Sequence, residues 1–169
     1  MALLNSNKYW RIYFALICFI SLHNCKQKSE QGHKFEITID YGDSYKIDLV
    51  NKKYIVFFRG KPPVEINISL SIVEESRILE KYSDCELDKT PRVFQVQDYC
   101  STMPKIFTVI TSKSDDGVRK IQIDEQCDKY SSMEKIRALK IRAFLNLIKQ
   151  IILEKKEVKA APLSNIGYL

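Results

Sequence analysis

FEITIDYGDSYKIDLVNKKYIVFFRGKPPVEINISL, residues 35–70, decides the fold. Phe35, Ile37 and Ile39 alternate with Glu36, Thr38 and Asp40, the period-two pattern of a strand with one buried face. Tyr41-Gly42-Asp43-Ser44 has turn chemistry, and Tyr45, Ile47 and Leu49 resume the alternation. Asn51-Lys52-Lys53 makes a second turn, after which Tyr54–Phe58 is apolar throughout and reads as an interior strand. Gly60-Lys61-Pro62-Pro63 interrupts the pattern before Val64, Ile66, Ile68 and Leu70 alternate again. Four strands joined by short turns predict an antiparallel β-meander.

Two helices follow from their start signals. Ser71-Ile72-Val73-Glu74 and Ser131-Ser132-Met133-Glu134 each fit a capping box, in which serine and glutamate satisfy each other's free amides. The first helix ends near Tyr82-Ser83-Asp84. The second is free to run to Glu157, because the next breaker is Pro162. Between them, 92–97, 104–111 and 118–124 read as strands, the last two joined by Ser114-Asp115-Asp116-Gly117. The expected fold is therefore α+β: an antiparallel meander with one short helix and one long C-terminal helix packed on the sheet.

The long helix carries more apolar surface than one face needs. Ile136, Leu139, Ala143, Phe144, Leu147, Ile148, Ile151 and Ile152 spread over more than half its circumference. Lys135, Arg142, Asn146, Lys149 and Lys156 share the remaining stripe. Deep burial explains such a helix, and so does a partner protein on part of its surface. The basic residues Lys135, Arg142, Lys149 and Lys156 form a possible interaction face, which could meet anionic headgroups, although a solvated polar face is the simpler explanation.

Upstream of the domain the chain reads as an address. Lys8 and Arg11 precede an uncharged apolar run of 11 residues, Ile12–Leu22. A membrane-spanning helix needs roughly 20 such residues, so the run suits the core of a signal peptide better than a span, a short anchor being the alternative. Between Cys18 and Lys26 no position offers ordinary signal peptidase its small residues one and three places before the cut. Leu22-His23-Asn24-Cys25 instead resembles a bacterial lipobox, although His23 and Asn24 stand where small residues are commoner. The resemblance covers the leader only. It implies cleavage before Cys25 and lipidation of its thiol, as in the small lipoproteins of bacterial envelopes. A diacylglycerol thioether plus an N-acyl chain such as palmitate exceeds the two signals that stable anchoring takes, at about 0.8 kcal/mol per buried CH₂. The polar stretch 26–33, without a large apolar residue, is a tether that cannot bury itself. The chain thus divides into a signal peptide 1–24, a lipidated cysteine and tether 25–34, a domain 35–157 and a tail 158–169. Its expected place is the cell envelope, outside the cytoplasm and anchored to a membrane.

With Cys18 lost and Cys25 lipidated, Cys85, Cys100 and Cys127 remain, and an oxidising compartment predicts one disulfide and one thiol. The hairpin turning at 114–117 brings the residues before Pro104 near those after Asp124, which favours Cys100–Cys127. If Cys25 is not lipidated, all four cysteines can pair.

Much chemistry is excluded by composition. The only histidines, His23 and His33, lie in the leader and tether, so the domain has no Ser-His-Asp or Cys-His site and no His-ligated metal. The cysteines lack the close pairs of a zinc knuckle or a redox motif, and no glycine-rich phosphate loop occurs. Asp84-Cys85-Glu86-Leu87-Asp88 alternates acids but lacks the glycine and terminal glutamate of a calcium loop. We therefore expect no cofactor and no metal. Beyond residue 25 the chain has 25 bases against 21 acids, too mild an excess for nucleic acid. The expectation is a non-enzymatic binding or interaction module for another envelope or secreted protein. The alternatives are a carboxylate-dependent hydrolase of envelope glycans, needing two converging acids, and a structural envelope lipoprotein.

Overall fold

The computed structural model describes residues 36–101 and 105–166. The leader, Cys25 and the tether lie outside the described residues. The elements are β1 (Glu36–Tyr41), β2 (Tyr45–Asp48), β3 (Lys53–Phe58), β4 (Lys61–Asn67), α1 (Ile72–Asp84), a 3-10 turn (Leu87–Lys89), β5 (Val93–Gln95), β6 (Phe107–Ser114), β7 (Gly117–Asp124), α2 (Ser132–Leu153) and α3 (Lys156–Lys159).

The class is α+β, but the sheet is not a pure antiparallel meander. Its seven strands are ordered β4-β3-β2-β1-β6-β7-β5. The β1–β4 meander forms as expected, and β6 then pairs antiparallel with β1 through Ile39↔Ile110. β5 pairs parallel with β7. The reason is the path of the chain. After β4 it passes through α1 and the 3-10 turn to the far edge of the sheet. There it re-enters at the end where β1 and β7 begin, so β5 must run with β7.

Alternation sets the layers. Ile37, Ile39 and Tyr41 of β1 are buried with Ile47, Tyr54, Val56, Ile110, Ile121 and Ile123 of neighbouring strands. Against them pack Ile78 and Tyr82 of α1 and Ile141, Phe144, Leu145, Ile148 and Ile152 of α2. Each such side chain contributes about 1.5–3 kcal/mol by leaving water. Tyr82 meets Phe144 edge to face at 5.5 Å and hydrogen bonds to Ser112 at 2.7 Å, so its polar end is satisfied inside the core. The residues between these on each strand, among them Asp40, Lys46, Lys53 and Lys120, form the opposite, solvent-facing side of the sheet.

Both helix starts carry a serine cap, with one difference. Ser71 and Glu74 form the full reciprocal box. Ser131 Oγ accepts from the Glu134 amide, but the Glu134 carboxylate turns outward, to the Gln97 amide at 3.2 Å and to Arg137 at 2.7 Å. α2 stops at Leu153 rather than near Glu157. Lys155 adopts an extended backbone and gives its ammonium to both Glu74 oxygens, and α3 then buries Val158.

The tail expected to begin at 158 therefore begins inside α3, and it docks. Glu157 accepts from the Ser69 amide, Ser164 Oγ donates to Phe57 O, and Asn165 accepts from the Arg59 amide at 2.8 Å. The last two contacts tie residues 164–165 to the β3–β4 hairpin. There Pro62 and Pro63 together oppose Phe57, a bulge on an edge strand, where missing amides cost least.

Candidate functional site

Where the surplus apolar surface of α2 lies is the first question. Ala138, Ile141, Phe144, Leu145, Ile148, Ile151 and Ile152 point into the core. Met133, Ile136 and Leu139 do not: they are 67%, 60% and 57% exposed. All three belong to the first half of the helix, which lies toward β5, as the Glu134 bond to Gln97 shows.

A groove opens beside this surface. α1 ends at Cys85, and Glu86 takes the left-handed conformation (φ 56°), turning the chain sharply into the 3-10 turn. Thr90 Oγ1 closes the turn on Leu87 O at 2.8 Å. Pro91 and Phe94 then carry the chain under the start of α2. The resulting depression holds about 370 Å³. Cys85, Leu87 and Ile141 make its buried floor, and Phe94, Met133 and Ile136 its walls. Lys89, Arg137 and Lys140 stand on its rim against one acid, Glu86. Arg137 lies over the Phe94 ring at 5.4 Å. Glu86 is shared by Lys140 and Lys89, and the hydrogen bonds from these ammoniums, Lys140 first, hold its carboxyl below the usual range. Burial pushes the Cys85 thiol up, so it is a packing group and a poor nucleophile.

The basic stripe resolves into separate parts. Arg142 faces the loop that follows β7, not solvent. One guanidinium nitrogen donates to Glu125 O and Tyr130 Oη, both at 3.0 Å, and to Cys127 O, with Asp124 O at the limit of 3.5 Å. Lys149 pairs with Glu125 at 2.6 Å and sits over the Tyr41 ring at 5.0 Å. Burial, with Tyr45 nearby, pushes the Tyr41 phenol far up. Lys135 is exposed on α2, and Lys156 is exposed on a different helix, α3. The four cations do not share one face.

Cys100 and Cys127 form a disulfide with Cα atoms 5.7 Å apart, leaving Cys85 as the free thiol among the described residues. The two sulfurs and an Asp98 oxygen lie within 4.8 Å of one another. The sulfurs are bonded to each other, and Asp98 holds Lys105 at 2.6 Å, so this group is a braced loop rather than a ligand set.

A second depression, of about 260 Å³, lies between α1 and the ends of β1 and β2. Glu36 and Glu75 both border it, and each is held by a lysine: Lys113 at 3.5 Å and Lys52 at 2.7 Å. Of the other acids, Glu74 is held in the helix cap, and buried Asp124 accepts from the Gln126 amide through one oxygen while its second oxygen has no partner among the described residues. No helix among the described residues is long and apolar enough to cross a membrane. No known protein family, curated protein or solved structure matches the chain.

The sequence pointed to α2 but not to the groove. The surplus of apolar residues was visible; the partner elements Leu87–Pro91 and Phe94 come from a turn and a parallel strand that no local pattern announces.

Proposed function

We propose that the protein is a cell-envelope lipoprotein, anchored through Cys25, that binds another envelope or secreted protein and catalyses no reaction. The observation that carries the binding reading is the exposed apolar surface of Met133 and Ile136 over the groove. A soluble domain rarely leaves large side chains clustered beside a concave apolar site unless something covers them. The anchor rests on the Leu22–Cys25 motif alone.

The test is photocrosslinking in intact envelopes with a benzophenone amino acid at position 136, and at position 46 on the open sheet face as control. A discrete adduct from 136 and none from 46 supports the reading; no adduct from either overturns it. The intact mass of membrane-extracted protein tests the anchor separately: cleavage before Cys25 plus acyl chains supports it, and an unmodified chain retaining residues 1–24 rejects it.

A carboxylate hydrolase is the second reading, and the depression bordered by Glu36 and Glu75 is the observation in its favour. Each carboxylate there already holds a lysine ammonium, which a general acid would have to displace to carry a proton.

A further inference from the structure

We infer that the groove takes an extended, acidic segment of the partner, which adds as a strand to the free edge of β5. The inference rests on the binding reading above and names the chemistry of what binds.

The first support is the edge itself. β5 is the last strand of the sheet, and its ladder with β7 uses alternate residues: Arg92 O accepts from Lys120, and the Val96 amide donates to Gln122 O. By the same alternation the N–H and C=O groups of Val93 and Gln95 point away from the sheet. Among the described residues no backbone hydrogen bond reaches Val93 or Gln95 from that side, and Val93, whose side chain lies on the open face of the sheet with Lys120, is 75% exposed. The opposite edge is treated differently. β4 carries Lys61, Pro62, Pro63 and a bulge, all of which discourage strand addition. β5 has none of these devices, only its shortness.

The second support is what lies beside the edge. Phe94 points to the helix side of the sheet, and Met133 and Ile136 overhang it from α2. A strand added to β5 would turn alternate side chains toward these residues. A large apolar side chain at one such position fills the groove. The positions two residues to either side then come near the rim, where Lys89, Arg137 and Lys140 outnumber Glu86. Arg137 is paired with Glu134, but Glu86 is divided between Lys89 and Lys140, so the rim keeps one uncompensated positive charge. Carboxylates in the partner complement it; lysines would be repelled. A strand this short offers few main-chain bonds, so the apolar anchor and the charges set both affinity and choice.

A random dodecapeptide library displayed on phage, selected against the full chain in detergent micelles, tests this directly. The expected result is enrichment of peptides with an apolar residue flanked by Asp or Glu two positions away. The affinity of a selected peptide, read by fluorescence anisotropy, should fall at least about tenfold with Ile136→Asp, and equally with Val93→Pro. The proline removes an outward amide without touching the β7 ladder, and melting temperature checks that each variant is folded. Lys140→Glu should weaken the acidic peptide and strengthen its Asp-to-Lys, Glu-to-Lys counterpart. Peptides without acidic preference, or binding indifferent to both Ile136→Asp and Val93→Pro, overturn the inference. If crosslinking from position 136 succeeds while the peptides show no such preference, the partner docks by a folded surface: this inference fails and the binding reading stands. If both fail, the binding reading falls too.

Discussion

Replacing Arg142 by Met distinguishes a structural pin from a contact residue. In the structure one guanidinium nitrogen serves Glu125 O, Cys127 O and Tyr130 Oη, and the group also lies over the Tyr130 ring at 5.6 Å. That nitrogen has two hydrogens, so the contacts amount to about two charge-assisted bonds, each worth about 1.5–3 kcal/mol. Met keeps the packing of the stem but leaves Glu125 O without its donor, while Cys127 O and Asp124 O lose the guanidinium and keep only the Tyr130 hydroxyl and, at Asp124 O, the Cys127 amide. Part of the loss is offset, because Arg142 Nε is itself buried with no partner among the described residues. The net cost is about 3 kcal/mol, a fall in melting temperature of roughly 10 °C for a domain of this size. Lys135→Met, on the exposed side of the same helix, should change stability by less than about 0.5 kcal/mol. The assay is thermal unfolding by circular dichroism of the full chain in detergent. If Arg142→Met melts with the parent protein yet loses crosslinking from position 136, the pin is wrong and Arg142 belongs to the contact surface.

Other consequences follow from single interactions. Glu74 is held at about 2, first by its hydrogen bond from Lys155 and then by the Ser71 amide. Its folded value lies below the unfolded one, so its contribution is complete above pH of about 4.5 and is lost as pH falls toward about 2. The melting temperatures of parent and Glu74→Gln should therefore differ at neutral pH and converge across that acid window; a constant gap would reject the assignment. Tyr82→Phe strands a buried Ser112 hydroxyl and should cost about 1 kcal/mol, and adding Ser112→Ala should cost less than the two changes summed, as a double-mutant cycle in urea will show. Replacing Cys100 and Cys127 together by Ala opens a loop with a sequence separation of 27. The expected loss is about 3.5 kcal/mol in the loop-entropy picture; an unchanged urea midpoint would mean the hairpin and Arg142 already hold the loop.

How much of this could be read from residues alone depends on the range over which each feature is encoded. Alternation is local, so the strands β1 to β4 and the buried set Ile37, Ile39 and Ile47 were legible. The turn at Asp115-Asp116-Gly117 and the cap at Ser71 were legible for the same reason. The pairing of β1 with β6 was not: Ile39 and Ile110 meet as two buried isoleucines, and any other strand with an apolar face would satisfy either. The parallel β5 was hidden too, because the direction of a three-residue strand depends on where α1 delivers the chain. The basic stripe failed for a related reason. A helical wheel places Arg142 and Lys149 opposite the core, but it does not show that the Asp124–Tyr130 loop rises beside α2 and collects both. Ile136 and Leu139 went the other way, read as surplus and found exposed, together with Met133, which that surplus does not include. A core is specified redundantly by many residues, so its pattern survives in the sequence. The groove arises where a turn, an edge strand and a helix end meet, and each supplies only two or three residues. If the acidic-segment inference is right, the part of this protein that selects its partner is therefore the part its sequence announces least.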